Sequence, residues 1–267
     1  MRSILAQEAR SELDRLATSC ALLVFDFDGT LAPIVDRPAD ACLRPRTRDL
    51  LRAVAVLYPC AVVSGRARAD VAQRLRDVPL VAIVGNHGAE AGHGPVDRTR
   101  RARVVAWKAL LLDAIGGEPG IEVEDKRFSL AVHYRHAPSR ADARHRVIAA
   151  THRLEGARAF AGRAVVNVVP LDAPDKAAAV EEIRRRVGAA RVLYVGDDTT
   201  DEDVFRDPRI EVAVRVGRTA RSAARYYVAG QHAVDDLLCA LLQARIRRDG
   251  AGARWEGLVR AVRVAGR

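Results

Sequence analysis

Residues 22–33, LLVFDFDGTLAP, place two aspartates directly after a run of apolar residues. Successive side chains alternate in an extended chain, so Asp26 and Asp28 point to the same side. Gly29 then lets the backbone turn away. Two like charges this close are costly unless a cation or a proton neutralises one of them. The stretch therefore predicts a strand whose end carries a pair of carboxylates, where open α/β sheets bind ligands.

Apolar runs of strand length alternate with charged segments of helical length on both sides of this stretch. The predicted strands cover residues 21–27, 60–63, 81–84, 191–196 and 212–216. The predicted helices cover residues 46–57, 67–76 and 175–187. This alternation is typical of a parallel sheet with crossover helices, so the predicted fold class is α/β.

Between these segments the pattern changes, and the predicted strands come in pairs. The predicted order is a helix (103–115), two strands (121–124 and 127–135), a helix (139–155) and two strands (158–161 and 164–169). The links within each pair are short and polar, which indicates antiparallel hairpins. We therefore predict an α+β domain of residues 95–171, inserted into a core of residues 1–94 and 172–267, with boundaries near Gly92–Pro95 and Leu171–Pro174.

Composition limits the class of protein. Of 267 residues, 49% are hydrophobic, as in a soluble globular protein. No segment reaches the roughly 20 apolar residues of a membrane span, and charges interrupt the N-terminal segment, so we expect no membrane partner and no secretory signal. The four cysteines lie far apart without CxxC spacing, which indicates free thiols in a reducing cytoplasm.

The net charge of +10 raises the question of a nucleic-acid partner. The arginines are spread along the chain, and only 4% of the residues are aromatic. Stacking residues interleaved with the basic ones are therefore missing, and we expect a solvated basic surface rather than a nucleic-acid site. Such a surface would attract a phosphorylated small molecule. A monomer is the working assumption.

A second acidic cluster, VGDDTTDEDVF (195–205), also follows an apolar run. Asp197, Asp198 and Asp201 offer the oxygen ligands that Mg²⁺ prefers, although an acidic helix start can equally be a cap favoured by the helix dipole. Ser64 in VVSGR (62–66) ends another predicted strand, and Lys176 begins a predicted helix. In isolation, the Ser-Gly pair at Ser64 is an ordinary turn, and Lys176 is a solvated lysine. Together the four segments supply carboxylates, a hydroxyl, a cation and metal ligands.

In this order the segments resemble the four motifs of the haloacid dehalogenase-like (HAD) phosphatases. More narrowly, VVSGR, GNHGAE (85–90), KRFSLAVHYR (126–135) and GDDTTDE (196–202) resemble the trehalose-6-phosphate phosphatases, over most of residues 20–240. The resemblance implies a Rossmann-like core with an inserted cap domain. It also implies Mg²⁺-dependent hydrolysis of trehalose 6-phosphate to trehalose and phosphate, a step of trehalose biosynthesis.

The resemblance assigns the catalytic roles. Asp26 would attack phosphorus and form an acyl phosphate. Asp28 would protonate the leaving sugar oxygen and later take a proton from water. Ser64 and Lys176 would hold and neutralise the phosphoryl oxygens.

The metal ligands follow from the same resemblance. Mg²⁺ would be held by Asp26, the backbone carbonyl of Asp28 and Asp197. Asp198 and Asp201 are alternatives or supports for these ligands.

The inserted domain would cover the site and contact the sugar. A Glu-x-Lys pair of the resembled family is matched by Glu124 and Lys126, while a further family glutamate aligns with Asn167 and a family arginine with Val169. Asn167 can donate and accept hydrogen bonds but carries no charge. The remaining predicted substrate contacts are Arg66, Asn86, His87 and Gly88, with a purely structural turn as the alternative for His87.

Three alternatives stay open. The same chemistry could act on another sugar or pseudo-disaccharide phosphate, as the changes at Asn167 and Val169 suggest. A basic nucleic-acid-binding module with this fold would require loss of a catalytic group, whereas all four motifs are intact. Phosphoryl transfer to a sugar hydroxyl, as in mutases that share Asp26 and Asp28, is disfavoured by the resemblance of the cap.

Overall fold

The computed structural model describes residues 1–90, 98–162 and 164–249. They fold into two compact units. The first contains Met1–Ser64, Ala69–Ile83 and the chain from Lys176 onward, and the second contains Gly65–Arg68 and Val84–Asp175. The predicted boundary near Gly92–Pro95 lies outside the described residues, so the domain limits of the sequence analysis stay a prediction.

The described residues contain eleven strands and eight α-helices. The strands are β1 Arg2–Ser3, β2 Ala21–Phe25, β3 Cys60–Val63, β4 Ala82–Val84, β5 Glu122–Asp125, β6 Leu130–His133, β7 Ala157–Gly162, β8 Val165–Pro170, β9 Arg191–Gly196, β10 Val212–Val216 and β11 Tyr226–Val228. The helices are α1 Arg10–Thr18, α2 Pro45–Leu57, α3 Arg68–Arg74, α4 Arg98–Ile115, α5 Arg140–Thr151, α6 Lys176–Val187, α7 Glu202–Arg206 and α8 Ala233–Asp249. None of these helices is long and apolar enough to cross a bilayer.

The first unit is built on a seven-stranded sheet in the order β1-β11-β10-β9-β2-β3-β4. In this order, every neighbouring pair of strands between β1 and β3 is parallel. Phe25 at the end of β2 lies between Val62 of β3 and Val195 of β9. The carboxyl ends of these three central strands therefore meet at one edge of the sheet, and this confirms the predicted α/β class.

Strand bounds agree best where an apolar run is buried on both faces. The bounds predicted for β3, β9 and β10 are those observed. The prediction for β2 was two residues too long, because the chain turns after Asp26: the amide of Ala32 donates to the carbonyl of Phe27 and the amide of Gly29 to that of Ala32. The sequence analysis did not predict α1, α8 or β11.

The second unit contains an antiparallel sheet in the order β5-β6-β8-β7, as the paired strands predicted. One face packs against α4 and α5 through apolar residues, including Val104, Trp107, Val132, Val147 and Val168. Glu124, Ala131, Asn167 and Phe160 form one row across the four strands. Directly opposed residues share a face, so this row lies on the opposite face from the apolar core.

Candidate active site

Asp26 lies at the carboxyl end of β2 and is only 5% exposed. Its amide donates to the carbonyl of Val195 at 2.9 Å, which ties it to β9. Gly29 has a φ of +78°, and a Cβ atom there would collide with the carboxylate of Asp197. The glycine therefore serves both the turn and the close approach of the second acidic segment.

Lys176, the first residue of α6, neutralises this carboxylate. Its Nζ donates to Oδ1 of Asp26 at 2.8 Å and to Oδ1 of Asp201 at 2.7 Å, and its side chain is 3% exposed. Burial alone would lower the pKa of Lys176, but the charges of Asp201 and Asp26 outweigh burial and raise it well above its ordinary value. Burial raises the pKa of Asp26, which the attraction of Lys176 only partly opposes. The raised pKa of Asp26 means that a further cation would favour its ionised form.

Asp201 is the second carboxylate that accepts a hydrogen bond from Lys176. Its Oδ1 also accepts a hydrogen bond from the hydroxyl of Tyr194 at 2.7 Å, and its Oδ2 accepts one from the amide of Asp198 at 2.9 Å. Gly196 leaves room for this carboxylate, because a Cβ atom there would overlap it. Asp198 and Asp201 form a capping box at this turn, so helix capping accounts for part of the acidic cluster. Tyr194 was not predicted, and its only signal was a phenol within the otherwise apolar run of β9.

Asp197 follows β9 and accepts a hydrogen bond from Oγ1 of Thr30 at 3.1 Å. Burial, followed by the charges of Asp201 and Asp198, raises the pKa of Asp197 to about 7. A carboxylate that resists ionisation in this way is one that a bound cation would stabilise.

The donor set fits a divalent metal ion. One carboxylate oxygen each of Asp26, Asp197 and Asp201 lie within 4.8 Å of one another. Lys176 balances one of the three negative charges, so two remain, and oxygen ligands with this charge suit Mg²⁺. Both oxygens of Asp201 already accept hydrogen bonds. This favours Asp26 and Asp197 as ligands and Asp201 as a support.

The other two predicted catalytic residues lie at the same edge of the sheet. Asp28 is half-buried in the turn after β2. Ser64 is 1% exposed and directly follows β3, the strand that pairs with β2. The structure thus places Asp26 and Ser64 at the carboxyl ends of β2 and β3, Asp28 in the turn after β2, and Lys176 at the amino end of α6 against Asp26. Their chemical roles stay predictions.

In the second unit, Asn86 is fully buried and its side chain makes three hydrogen bonds. Its Nδ2 donates to Oε2 of Glu90 at 2.8 Å and to the carbonyl of Lys126 at 3.2 Å, and its Oδ1 accepts from Oγ of Ser129 at 2.7 Å. Its amide donates to the carbonyl of Arg66 at 2.7 Å. These bonds favour a role in positioning the loop, and the predicted substrate contact of Asn86 stays untested.

His87 and Gly88 continue this loop with positive φ angles of 56° and 107°. The imidazole of His87 lies against Gly65, where a Cβ atom would overlap it, and meets the ring of Phe160 edge-on at 4.8 Å. A Cβ atom at Gly88 would collide with the backbone at Asp175. Packing thus constrains both residues, and the predicted substrate contacts of His87 and Gly88, with a structural turn as the alternative for His87, stay untested.

Glu124 and Lys126 lie close together, as their spacing suggested, with 3.9 Å between Oε2 and Nζ. Lys126 also donates to the carbonyl of Gly65 at 3.2 Å, and His133 contacts Glu124 at 2.9 Å. Partial desolvation would raise the pKa of Glu124, but the hydrogen bond with His133 and the charges of Lys126 and Arg66 lower it. Glu124 is thus held as a carboxylate on the face that carries Asn167.

The middle of this face is less polar than its edge. Asn167 is 7% exposed on β8, and its sheet partner on β7 is Phe160. Phe160 was not singled out in the sequence, since a single aromatic residue in a strand is an ordinary core residue. The face therefore combines the Glu124 carboxylate, one neutral amide and one aromatic ring.

Comparison with known proteins identifies the family of this chain. The trehalose-phosphatase family matches residues 24–231, which include the acidic segments, Ser64, Lys176 and the second unit. The chain belongs to the trehalose-phosphatase family. This confirms the resemblance read from the motifs.

Two curated relatives and one solved structure show the extent of the likeness. A trehalose-phosphate phosphatase of Mycobacterium avium is 39% identical over 210 residues, covering 72% of this chain and 52% of that protein. An uncharacterized glycosyl hydrolase of Mycobacterium tuberculosis is 37% identical over 270 residues, covering 91% of this chain and 20% of that protein. The C-terminal domain of the C. albicans trehalose-6-phosphate phosphatase shares the fold, with a TM-score of 0.71, 21% identity and coverage of 88% of this chain and 97% of that chain.

The chain thus spans about half the length of the first of these relatives and a fifth of the second. The structural likeness shows a shared fold, with a parallel-sheet unit and an α+β unit. Membership of the trehalose-phosphatase family agrees with the observed fold.

Proposed function

We propose that this chain is a Mg²⁺-dependent phosphatase that hydrolyses trehalose 6-phosphate through an aspartyl-phosphate intermediate. The observation that supports it most strongly is the buried Asp26 carboxylate, held by Lys176 beside Asp197 at the edge of the parallel sheet. A purely structural ion pair would not need the additional carboxylate of Asp197. Membership of the trehalose-phosphatase family supports the same reaction.

Asp26 acts as the nucleophile. Its carboxylate attacks phosphorus, a bond forms between the carboxylate oxygen and phosphorus, and the bond from phosphorus to the sugar oxygen breaks. Asp28 gives its proton to that leaving oxygen. It then takes a proton from the water that hydrolyses the acyl phosphate, which releases phosphate and restores Asp26.

Ser64 and Lys176 hold the phosphoryl group during both steps. The lysine lies 2.8 Å from Asp26 and is positioned to balance charge on the phosphoryl oxygens, where fixed charges are most effective. Asp26 and Asp197, with the backbone carbonyl of Asp28, would hold Mg²⁺, which supplies further charge neutralisation at the phosphoryl group. The raised pKa of both carboxylates agrees with a site completed by a cation.

The polar face of the second unit is proposed to bind the sugar. Glu124 and Lys126 offer a charged acceptor and a charged donor for hydroxyl groups, and Asn167 offers a neutral donor and acceptor. Arg66 lies in the same unit and its charge acts on Glu124. The substrate is accordingly a small sugar phosphate, with trehalose 6-phosphate as the first candidate.

A substrate panel tests this assignment. Phosphate release in Mg²⁺ is measured for trehalose 6-phosphate, glucose 6-phosphate, other hexose phosphates and a disaccharide phosphate with a different second sugar. We expect the highest kcat/KM for trehalose 6-phosphate. A higher value for another member would keep the mechanism and replace the named sugar, which is the alternative that Asn167 and Val169 favour.

Asn167→Glu is expected to increase the preference for trehalose 6-phosphate over glucose 6-phosphate by several-fold. A charged acceptor forms a hydrogen bond about twice as strong as a neutral one, and a buried site discriminates most strongly through such bonds. Val165→Glu is the matched control, because it adds the same charge two residues away on the same face of β8. An equal change of this preference in both variants, or no change in Asn167→Glu, would show that residue 167 does not determine the sugar specificity.

The setting of the enzyme is proposed from the same residues. All four cysteines are free thiols, which supports a reducing cytoplasm as its compartment. We propose a monomer that binds a small sugar phosphate and neither nucleic acid nor membrane.

A further inference from the structure

Arg215 forms hydrogen bonds with the backbone of the second acidic segment, a contact that no sequence motif indicated. It belongs to β10 and pairs in register with Gly196, the last residue of β9. One terminal nitrogen of its guanidinium donates to the carbonyl of Asp197 at 2.6 Å, and the other donates to the carbonyl of Asp198 at 3.3 Å. Both carbonyls lie beyond the end of β9, where a sheet partner is no longer available to fix them.

Glu202 fixes the guanidinium in turn. Its Oε1 accepts from Arg215 at 2.7 Å, and its Oε2 accepts from the amide of Ala223 at 2.8 Å. The side chains of Arg215 and Glu202 are 16% and 10% exposed. A largely desolvated ion pair gives little net stability of its own. Its main effect is therefore to fix the position of the Arg215 guanidinium.

That geometry restrains Asp197 at both ends. Arg215 holds its backbone carbonyl, and Thr30 donates to its carboxylate at 3.1 Å. Partners that fix the orientation of a metal ligand typically change metal affinity by about 10–100-fold when removed. Lysine cannot replace this arginine, because one ammonium lacks the planar fork that reaches two carbonyls and a carboxylate together.

We propose that Arg215, anchored by Glu202, is a positioning residue that sets the affinity of the Asp26–Asp197 cluster for Mg²⁺. The inference rests on the proposed function, since it assumes that this cluster binds the metal. It assigns to Arg215 no contact with the substrate.

The test follows Mg²⁺ binding without substrate, through the rise in Tm as Mg²⁺ is added to chelator-treated protein. In Arg215→Lys and Glu202→Gln, the Mg²⁺ concentration at half-maximal rise is expected to increase by about 10–100-fold. Arg245→Met is the matched control, because its guanidinium also donates to two backbone carbonyls, those of Ala17 and Leu57, between helices of the first unit. It should lower Tm equally with and without Mg²⁺ and leave the midpoint unchanged.

The outcomes separate this inference from the proposed function. If the unmodified protein shows no Mg²⁺-dependent rise in Tm, the proposed Mg²⁺ site is wrong, and so is the positioning role of Arg215. If the unmodified protein responds and both variants keep its midpoint, the positioning role of Arg215 is wrong while the proposed function stands. A shifted midpoint in Arg215→Lys that also appears in Arg245→Met would assign the effect to general destabilisation and would likewise overturn the inference.

Discussion

Asp26→Asn is expected to abolish phosphate release from trehalose 6-phosphate, with kcat falling by at least about 10³-fold. An amide cannot form the acyl phosphate, and Asp201, the other carboxylate that contacts Lys176, already accepts hydrogen bonds at both of its oxygens. The fold should survive, because asparagine has the same shape and removes a charge that burial disfavours. Asp28→Asn keeps the nucleophile and should only slow formation and breakdown of the intermediate.

The measurement is rapid quenching with labelled substrate, followed by mapping of the labelled residue, with beryllium fluoride as a trap for the nucleophile. Asp203→Asn is the control, since its side chain is 65% exposed on α7. Label should appear on Asp26 in the unmodified protein and in Asp203→Asn. More than a trace of turnover in Asp26→Asn would mean that another residue is the nucleophile.

Lys176→Met is expected to reduce the free energy of unfolding by about 3–5 kcal/mol at neutral pH in the presence of chelator. The substitution leaves Asp26 and Asp201 buried without their shared cation. The pKa of Asp26, already raised, should rise further. A carboxyl group whose pKa is higher in the folded than in the unfolded state lowers the stability as pH rises from the unfolded-state pKa toward the folded-state pKa. The loss should therefore be largest at neutral pH and shrink as pH falls toward the unfolded-state value near about 4.

Urea unfolding at several pH values measures this loss. Lys108→Met provides the comparison, because Lys108 is 38% exposed and lies 3.6 Å from Asp125; an exposed pair of this kind contributes at most about 1 kcal/mol. Equal losses for the two variants, or a loss for Lys176→Met that does not depend on pH, would contradict the buried ion-pair arrangement.

The sequence was most informative where one local pattern determined the result. Parallel strands buried on both faces must be continuous apolar runs, so β3, β9 and β10 were located to the residue. Ser64 was located with β3, because a polar residue after such a run lies at the carboxyl edge. The helix α8 buries Val234, Leu237 and Leu241 in the core. Their i, i+3, i+7 spacing is that of an amphipathic helix, so the signal for α8 was present in the sequence and was missed.

Long-range hydrogen bonds account for most of what was missed. Tyr194 donates to Asp201, Arg215 donates to two backbone carbonyls beyond β9, and Glu202 accepts from Arg215. Such bonds leave no periodicity in the sequence. The pairing of β7 with β8 was predicted, whereas the register that places Phe160 opposite Asn167 was not. A shift of one residue would move Phe160 to the other face, and neither composition nor spacing distinguishes the two registers.

Phosphate release from trehalose 6-phosphate by the 267-residue chain is the most direct measurement, made in Mg²⁺, after exhaustive chelation and after Mg²⁺ is added back. Burial raises the pKa of Asp26 and of Asp197, and a bound cation would oppose both shifts. We therefore expect release in Mg²⁺, its loss on chelation and its recovery on re-addition. Full activity after metal removal, or no release from trehalose 6-phosphate in Mg²⁺, would contradict the proposed reaction.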